Sequence, residues 1–305
     1  MDGALELRLP YRAPCDLAGL VRFFSARAVP GVEQIDGDVY VRSVRLPGGP
    51  AVVALRPGDD GDVEAKVWLT DASDLDAAAA VSRCLLDLDT DPAPIVDVLG
   101  SDDLIGKIVR SAPGRRVPGH AGPDEIAIRA VLGQQVSLAG AATLAARLVS
   151  AYGEPLAHPV GPVTHLFPSA AALAVADPEQ LAMPWSRRRA LIGLAKALAD
   201  GDPVLGTGVM AQDEIERRLL ALPGIGPWTV AYIAMRALRD PDAYMPTDLG
   251  VRHGLERLGR DGRPPSAERI AERWRPYRAY ATQHLWAQAA ASPHTRQRVT
   301  VLRPR

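Results

Sequence analysis

The stretch from Leu219 to Asp248, which reads LLALPGIGPWTVAYIAMRALRDPDAYMPTD, most narrows the folds open to this 305-residue chain. Ile215, Leu219 and Leu222 follow the spacing of one face of a helix. Pro223 cannot continue that helix, because it lacks an N–H and its ring clashes with the preceding turn. The sequence therefore predicts a helix that ends at about residue 222.

A glycine turn and a second helix come next. Gly224 and Gly226 allow positive φ or close approach to the backbone, and Pro227 suits the first position of a helix. This helix would present free N–H groups and the positive end of its dipole to an anion. We predict a helix-hairpin-helix at about 213–238 with a phosphate site that reads no base sequence. The alternative is an ordinary turn with a glycine cap.

Length and composition narrow the class of protein. The chain is long enough for two or three domains, and it has no apolar run of the roughly 18 residues that a membrane span needs. The N-terminus lacks a secretory pattern, and Cys15 and Cys84 are too few for a disulfide framework or a zinc site. We expect a cytoplasmic protein. A net charge of −1 argues against non-specific nucleic-acid binding by the whole surface but allows a local basic face.

Two regions differ in their periodicity. Residues 1–95 contain alternating segments at 39–46, 51–55 and 63–69, with helical patterns at 17–28 and 75–88, which predicts an α+β domain with an antiparallel sheet. Residues 96–305 predict an all-α core. Its helices are expected at 95–108, 123–137, 139–152, 170–176, 186–199, 213–222, 228–238, 249–258, 266–274 and 277–291, and the polar tail at 296–305 is expected to fray.

Particular motifs resemble one family of proteins. The phrase LPGIGPWT at 222–229, followed by YMPTD ending at Asp248, resembles the helix-hairpin-helix of the DNA glycosylase superfamily. FSARAV at 24–29, AVLGQQVS at 130–137 and AERWRPYRAYATQHLW at 271–286 occur in the order found in AlkA-type 3-methyladenine DNA glycosylase II. The resemblance covers nearly the whole chain. It implies an enzyme of base excision repair that acts on double-stranded DNA with damaged bases.

The resemblance also implies a cleft that receives a flipped base. The cleft would lie between a subdomain at about 123–240 and one formed by 96–122 plus 241–305. The expected base-binding residues are Phe23, Trp228, Tyr232, Leu249 and Trp286, and the expected DNA contacts are Gly224, Gly226, Thr229 and Gln135. Trp228 and Tyr232 share a helix face at i and i+4, and aromatic walls suit cationic alkylated purines. Core packing is the alternative for such a pair.

Asp248 is the predicted catalytic residue. A lone aspartate after threonine is most often a helix N-cap, and such a position would also keep the carboxylate ionised. A glycosylase that acts on cationic bases needs an anion beside the sugar as positive charge develops at C1′. Asp248 stands where the family has this residue.

Three departures from related branches refine the prediction. Trp228 takes the place of the Schiff-base lysine of bifunctional relatives, and no lysine follows Lys196, so we expect a monofunctional enzyme that does not cleave the strand. The chain lacks the four C-terminal cysteines with which one branch of the superfamily binds an iron–sulfur cluster, so that branch is excluded. Gln135 stands at the position of the usually apolar wedge, and Leu249 replaces an aromatic residue.

The sequence leaves alternatives open for a bound cation and for the function. The carbonyls of Leu220, Leu222 and Ile225 would converge on a monovalent cation if the hairpin follows the family, whereas no cofactor is expected to be required. We expect a monomer with no membrane partner.

The predicted function is excision of 3-methyladenine and related methylpurines. The alternatives are a non-catalytic damage-binding protein and a glycosylase of the same fold for deaminated or oxidised bases.

Overall fold

The computed structural model describes residues 3–59, 61–205, 208 and 210–290, so the predicted fraying of 296–305 lies outside the described residues. The strands are β1 (Leu5–Pro10), β2 (Glu33–Asp36), β3 (Val39–Leu46), β4 (Gly49–Pro57), β5 (Asp62–Leu69), β6 (Glu154–Val160) and β7 (Val163–Leu166). The helices are α1 (Leu17–Ser25), α2 (Leu75–Leu86), α3 (Pro92–Gly100), α4 (Gly106–Ser111), α5 (Pro123–Leu132), α6 (Leu138–Tyr152), α7 (Ala170–Ala174), α8 (Trp185–Ala199), α9 (Gln212–Ala221), α10 (Pro227–Arg236), α11 (Leu249–Arg257), α12 (Pro264–Ala271) and α13 (Arg278–Ala290). No helix in this part of the chain is long and apolar enough to cross a bilayer.

The N-terminal domain is the predicted antiparallel sheet with two helices. Its strand order is β1-β5-β4-β3-β2, and Tyr40 pairs with Leu55 and Val53 with Val67. Apolar side chains on one face of the sheet pack against α1 and α2 to form a buried cluster. Asp16 caps α1 by accepting the Gly19 N–H at 2.8 Å. The sheet thereby fixes α1, which carries part of the site.

The second face of the sheet is covered by a β-hairpin that the sequence did not predict. β6 and β7 lie within the region expected to be all-α, so that expectation was wrong for residues 154–166. The Ser43 hydroxyl donates to the His165 carbonyl at 2.6 Å, and the Gly31 carbonyl accepts the N–H groups of Thr164 and His165. Apolar residues of β3, β4, β6 and β7 form a separate buried cluster. β3 is therefore buried on both faces rather than half-buried.

The helical core contains two further buried clusters. The first unites residues of α5, α6, α8, α9 and α10, and the second unites α3 and α4 with α10 to α13. α10 belongs to both, because Val230 and Ile233 pack into the first and Ala234 and Met235 into the second. The shared helix places its N-terminus, and with it the hairpin, beside the groove between the clusters.

Two expected helices have different limits. The helix expected through residue 137 ends at Leu132, because Gly133 closes it and Gln135 has a φ of 54°, which an α-helix cannot contain. The helix expected at 95–108 is instead the pair α3 and α4, separated by a turn in which Asp102 accepts the N–H groups of Leu104 and Ile105. The first difference matters for the site, since it converts residues 133–137 into an exposed loop.

Candidate functional site

A cleft of about 1610 Å³ lies where the N-terminal domain and the two helical clusters meet. This volume exceeds the roughly 300–1,000 Å³ of ordinary small-molecule pockets, so the cleft can receive a nucleotide with its flanking backbone. The residues expected from the sequence to contact base or DNA all line it, as does the expected catalytic residue: Phe23, Gln135, Gly224, Gly226, Trp228, Thr229, Tyr232, Asp248, Leu249 and Trp286.

Asp248 both caps a helix and faces the cleft. It is the N-cap of α11, and its Oδ1 accepts the Val251 N–H at 2.9 Å. The indole of Trp286 donates to Oδ1 at 2.7 Å, and the indole of Trp228 donates to Oδ2 at 3.0 Å. Three N–H groups thus fix the carboxylate, and the helix N-terminus behind it favours negative charge.

Gly250 leaves room for the contact between Trp286 and Asp248, and sequence reasoning missed this glycine. A Cβ at this position would lie 2.5 Å from Cδ1 and 2.9 Å from Nε1 of Trp286. Any side chain here would displace the indole from Asp248. The available signal was a glycine two residues after the predicted catalytic aspartate, in the first turn of a helix where glycine is otherwise unfavourable.

Aromatic rings form two pairs in the cleft. Trp228 and Tyr232 stack with ring centroids 5.3 Å apart and planes at 18°. Phe23 of α1 and Trp286 of α13 stack at 6.3 Å and 19°. Leu249 is 66% exposed at the mouth, where it leaves that wall open to solvent. The i, i+4 pair predicted on one face of α10 is therefore cleft lining rather than solely core.

Two arginines extend the cleft inward, and neither was predicted. Arg27 Cζ lies 3.7 Å from the Phe23 ring centroid and 5.7 Å from the Trp286 ring, and Arg236 Cζ lies 4.9 Å from the Phe23 ring. Burial lowers the pKa of Arg27 to about 10, which leaves it protonated at neutral pH. Burial alone would raise the pKa of Tyr232, but Arg236 and Arg27 outweigh it and lower that pKa.

A buried ionic network closes the floor of the cleft. Glu33 accepts from the Val29 N–H at 2.9 Å, the Tyr40 hydroxyl at 2.5 Å and Arg129 at 2.9 Å, and Arg42 Nη1 lies 3.5 Å away. Burial would raise the pKa of Glu33, yet Arg129 and Arg42 hold it below its ordinary value. Arg42 and Arg129 also pair with Glu125 of α5 at 2.7 and 2.9 Å. The network therefore joins β2 and β3 to α5.

The two hairpin glycines have different roles. Gly224 has a φ of +84°, and a Cβ there would lie 2.7 Å from the Ala190 Cβ, so both its conformation and its packing require glycine. Gly226 has an ordinary φ of −103° and nothing within 4 Å of an added Cβ. Of the two expected roles, positive φ and close approach to the backbone, Gly226 does not have the first, and the second stays a prediction. Its open face points to the space in front of α10.

Thr229 and Gln134 connect the hairpin to the loop at 133–137. Thr229 is 2% exposed, and its hydroxyl accepts from the Gln134 amide at 2.9 Å, which also donates to the Gly224 carbonyl at 3.0 Å. The hydroxyl of Thr229 is thus occupied by Gln134, and its backbone N–H is one of the free groups at the start of α10, so its contact with DNA stays a prediction. Gln134, which sequence reasoning missed, holds the loop against the hairpin.

Gln135 is exposed beside this bridge. Gln135 caps neither neighbouring helix, because Gly133 closes α5 and Ser137 opens α6 by accepting the Gly140 N–H at 3.1 Å. The left-handed backbone of Gln135 turns the loop at the rim of the cleft. Val136 and Leu138 are exposed next to it, so the loop also presents apolar side chains.

The predicted cation ligands lie at the end of α9. Leu220 stands in the last turn, whose carbonyls have no partners within the helix, while the Leu222 carbonyl accepts the Ile225 N–H at 3.1 Å. This backbone offers oxygen atoms of the kind that a hard cation prefers, and the cation site stays a prediction. Within residues 3–59, 61–205, 208 and 210–290, no group of three or more His, Cys, Asp or Glu side chains could hold a metal ion.

Comparison with known proteins agrees with the geometry. The chain matches the AlkA N-terminal domain over residues 6–122 and the HhH-GPD superfamily base excision DNA repair protein over residues 128–278. It is 34% identical over 284 residues to "DNA-3-methyladenine glycosylase 2" of Escherichia coli (strain K12), covering 91% of this chain and 95% of that one. A solved "3-methyladenine dna-glycosylase from Archaeoglobus fulgidus" has a TM-score of 0.79 at 20% identity and covers 94% of this chain and 98% of its own.

A longer relative is also similar. The chain is 46% identical over 284 residues to the "Probable bifunctional transcriptional activator/DNA repair enzyme AlkA" of Mycobacterium tuberculosis (strain ATCC 25618 / H37Rv), with 93% of this chain aligned. It spans 57% of the length of that relative.

The chain combines an antiparallel N-terminal domain, a glycine hairpin and a carboxylate in an aromatic cleft. These features place it in the class of helix-hairpin-helix proteins of base excision DNA repair. The near-complete alignment with the E. coli protein narrows this class. The chain belongs to the AlkA family of DNA-3-methyladenine glycosylases.

Proposed function

We propose that this protein is a monofunctional DNA glycosylase that flips an alkylated base out of duplex DNA and hydrolyses its N-glycosidic bond. The observation that carries the proposal is the carboxylate of Asp248, held by two indoles and a helix N-terminus at the wall of an aromatic cleft. A protein that only bound damage would have no need of this carboxylate. The E. coli relative, named DNA-3-methyladenine glycosylase 2, supports methylpurines as substrates.

Asp248 would act by electrostatic stabilisation of the transition state. Positive charge develops at the sugar C1′ as the bond to the base breaks, and a fixed anion beside it lowers the barrier. At about 4 Å and an effective dielectric constant near 20, one charge contributes about 4 kcal/mol, or roughly a thousandfold in rate. The indoles of Trp228 and Trp286 keep the carboxylate in place. A water molecule completes the hydrolysis and takes the place of the base at C1′.

A duplex assay tests this function. DNA methylated on its purines, and duplexes with a single hypoxanthine or uracil, are incubated with the protein, and released bases and strand breaks are measured separately. We expect release of methylpurines and an intact abasic strand. Glycosylases that also cleave the strand have a Schiff-base lysine where this chain has Trp228, and no lysine follows Lys196. Borohydride should trap no covalent adduct. Failure to release any base would overturn the proposal, and a trapped adduct would overturn its monofunctional part.

The phosphate site gives a sharper prediction for Gly226. Gly226→Ala should fold normally, because its φ is ordinary and its Cβ meets nothing within 4 Å. It should still weaken duplex binding by about tenfold, the equivalent of one hydrogen bond, since the new methyl group occupies the space in front of the free N–H groups. The loss should be similar for all sequences, because a phosphate carries no base information. Fluorescence anisotropy with several duplexes measures it.

Gly122→Ala is the matched control for this variant. Gly122 is likewise an N-cap followed by a proline at the first helical position, and a Cβ there also meets nothing within 4 Å, but it lies outside the cleft lining. Gly122→Ala should bind duplex DNA like the parent protein. Equal affinities for Gly226→Ala and Gly122→Ala would refute the phosphate role of the hairpin.

The exposed loop supplies the wedge in this proposal. Flipping a base costs a few kcal/mol of stacking, and Gln135 would recover part of that by filling the gap. Gln135→Ala should therefore raise KM more than it lowers the single-turnover excision rate, whereas Gln135→Leu should be tolerated but alter the dependence on the opposing base. Kinetics with each of the four opposing bases measure this. Gln180→Ala is the control, because Gln180 is an exposed glutamine outside the cleft lining. If Gln135→Ala matched Gln180→Ala in affinity and in excision rate, the wedge would be another residue.

The partner in this proposal is double-stranded DNA, bound by one copy of the chain, and no cofactor takes part in the chemistry. A monovalent cation held by the carbonyls of Leu220, Leu222 and Ile225 would add positive charge at the hairpin and strengthen phosphate binding. Hydrolysis at C1′ does not require it.

A further inference from the structure

One tryptophan of the chain is exposed outside the cleft. All five tryptophans lie in the described residues, and among them only Trp185 is exposed, at 52%, whereas Trp274 is fully buried. Trp185 is the first residue of α8, and it does not line the cleft. A single exposed apolar side chain is common on protein surfaces, so the meaning of this one depends on what lies beside it.

The first turn of α8 lies against the two segments that the proposed function assigns to DNA. A Cβ on Gly224 would lie 3.9 Å from the Ser186 carbonyl oxygen, so this turn packs on the hairpin. Arg187 donates through Nη2 to the Gln134 carbonyl at 2.5 Å, which joins the same turn to the loop of that glutamine. The surface of the hairpin and loop therefore continues without a break to Trp185.

The start of α8 is also positively charged. Arg187, Arg188 and Arg189 are consecutive, no acidic residue occurs in α8, and its N-cap, Pro184, has no side-chain acceptor. Glu179 pairs with Arg188 at 3.3 Å, which leaves a net positive charge. The first turns of α5 and α9 carry acidic residues, which suit the positive end of a helix dipole. The arginines of α8 oppose its dipole, so this helix end suits an anionic partner.

The indole of Trp185 is supported and has one face open. Arg188 Cζ lies 6.0 Å from the ring centroid, and a single guanidinium can cover only one face of a ring. Arg188 donates through Nε to the Met183 carbonyl at 2.8 Å, and Met183 and Leu181 are buried, so the backbone that leads into α8 is anchored in the core. An open aromatic face on an anchored backbone is suited to stacking on a nucleic-acid base.

We propose that Trp185 contacts the complementary strand, the strand that keeps its bases when the damaged nucleotide enters the cleft. This inference rests on the proposed function and names the strand bound by a surface outside the cleft. The damaged nucleotide turns toward the cleft, so the complementary strand lies on the side facing away from it, where Trp185 stands. The indole stacks on a base that flipping has left exposed, and the arginines of α8 attract the phosphates of that strand.

The consequence is that separate elements bind the two strands. The hairpin holds a phosphate of the damaged strand, and Trp185 holds the complementary strand. Removing the indole should therefore weaken binding to a duplex and leave binding to a single strand unchanged. General damage to the fold or to the hairpin would weaken both.

The experiment measures affinity by fluorescence anisotropy, at an ionic strength low enough to detect both complexes. The probe is a strand with one tetrahydrofuran abasic-site analogue, used alone or paired with its complement. The variants are Trp185→Ala, Trp185→Phe and the control Val175→Ala. Val175 is an apolar side chain that is 85% exposed and lies outside the cleft lining. Circular dichroism confirms that each variant folds.

Trp185→Ala should weaken duplex binding by about 5- to 150-fold, the range for the loss of one base–aromatic stack, and should bind the single strand like the parent. Trp185→Phe keeps an aromatic face, so it should recover most of the duplex affinity. Val175→Ala should match the parent with both probes.

Acrylamide quenching supplies a second readout that does not depend on affinity. The difference in tryptophan quenching between the parent and Trp185→Phe isolates the exposed indole from the two tryptophans of the cleft. A saturating amount of the duplex should remove this difference, because stacking covers the indole, whereas a saturating amount of the single strand should leave it in place.

Three outcomes would count against the assignments, and they can be told apart. A folded parent that binds neither probe would overturn DNA binding in the proposed function itself. A parent that binds the duplex, with Trp185→Ala equal to Val175→Ala, would overturn the inference and leave the function standing. Equal losses on the duplex and the single strand would place Trp185 on the damaged strand, which also overturns the inference.

Discussion

Replacing Asp248 with asparagine should lower single-turnover base excision by about two to four orders of magnitude while duplex binding persists. Loss of one fixed charge near C1′ removes about 4 kcal/mol at an effective dielectric constant near 20, which is roughly a thousandfold. The structure adds a second effect. The two indoles donate to different carboxylate oxygens, so asparagine would place its NH2 group, a donor, against one of them and lose that hydrogen bond.

The capping role of Asp248 requires a matched control, because loss of a cap can itself destabilise the protein. Asp91 is the N-cap of α3 and accepts the Ala93 N–H at 3.0 Å, outside the cleft lining. Asparagine is as good an N-cap as aspartate, so both variants should keep the parent's free energy of unfolding within about 1 kcal/mol. Asp91→Asn should excise normally. If Asp248→Asn excised as fast as Asp91→Asn, the catalytic assignment would be wrong.

Replacing Glu33 with glutamine should lower the free energy of unfolding by about 3–5 kcal/mol, the usual cost of removing one member of a buried ion pair. Arg129 and Arg42 would lose a buried counter-charge, and the Tyr40 hydroxyl and Val29 N–H would lose a charged acceptor. Denaturant titration of both proteins at pH 7 measures the difference.

The pH dependence provides an internal check. Because the folded protein holds the pKa of Glu33 below its ordinary value of 4.5, this stabilisation is complete above pH 4.5 and is lost as the pH falls through the lower folded-state pKa. The gap between parent and Glu33→Gln should narrow in that range. Glu154→Gln is the control, since Glu154 pairs with Arg45 at 2.6 Å but is 49% exposed, and it should cost at most about 1 kcal/mol. Equal costs for the two variants would contradict a structural role of the network.

Local patterns were sufficient for most of the fold. Alternation at 39–46 and 63–69 predicted β3 and β5, and helical spacing with proline and glycine signals predicted α9 and α10. β6 was missed because Pro155 and Pro159 lie within it, and proline is unfavourable inside a sheet. Its pairing with β7 and its packing on β3 are long-range contacts that no local period records.

The outer part of the cleft was predictable, whereas its floor was not. The aromatic residues and Asp248 belong to recognisable motifs, so the sequence alone indicates that they lie near one another. Arg236 lies in no quoted motif, and FSARAV at 24–29 contains Arg27 without indicating a role for it. Their place in the cleft depends on α1 of the N-terminal domain lying against α10 and α13. Gln134 and Gln135 are adjacent and chemically identical. Only the turn at 133–137 directs one to the hairpin and leaves the other exposed.

The bridge from Gln134 to Gly224 and Thr229 has a consequence for how the protein would inspect DNA. The side-chain amide joins the loop of Gln135 to the hairpin, so in the proposed function it would hold the wedge at one separation from the phosphate site. The phosphate that the hairpin binds would then set which nucleotide is tested. Testing the neighbouring nucleotide would require the protein to release that phosphate and bind the next one.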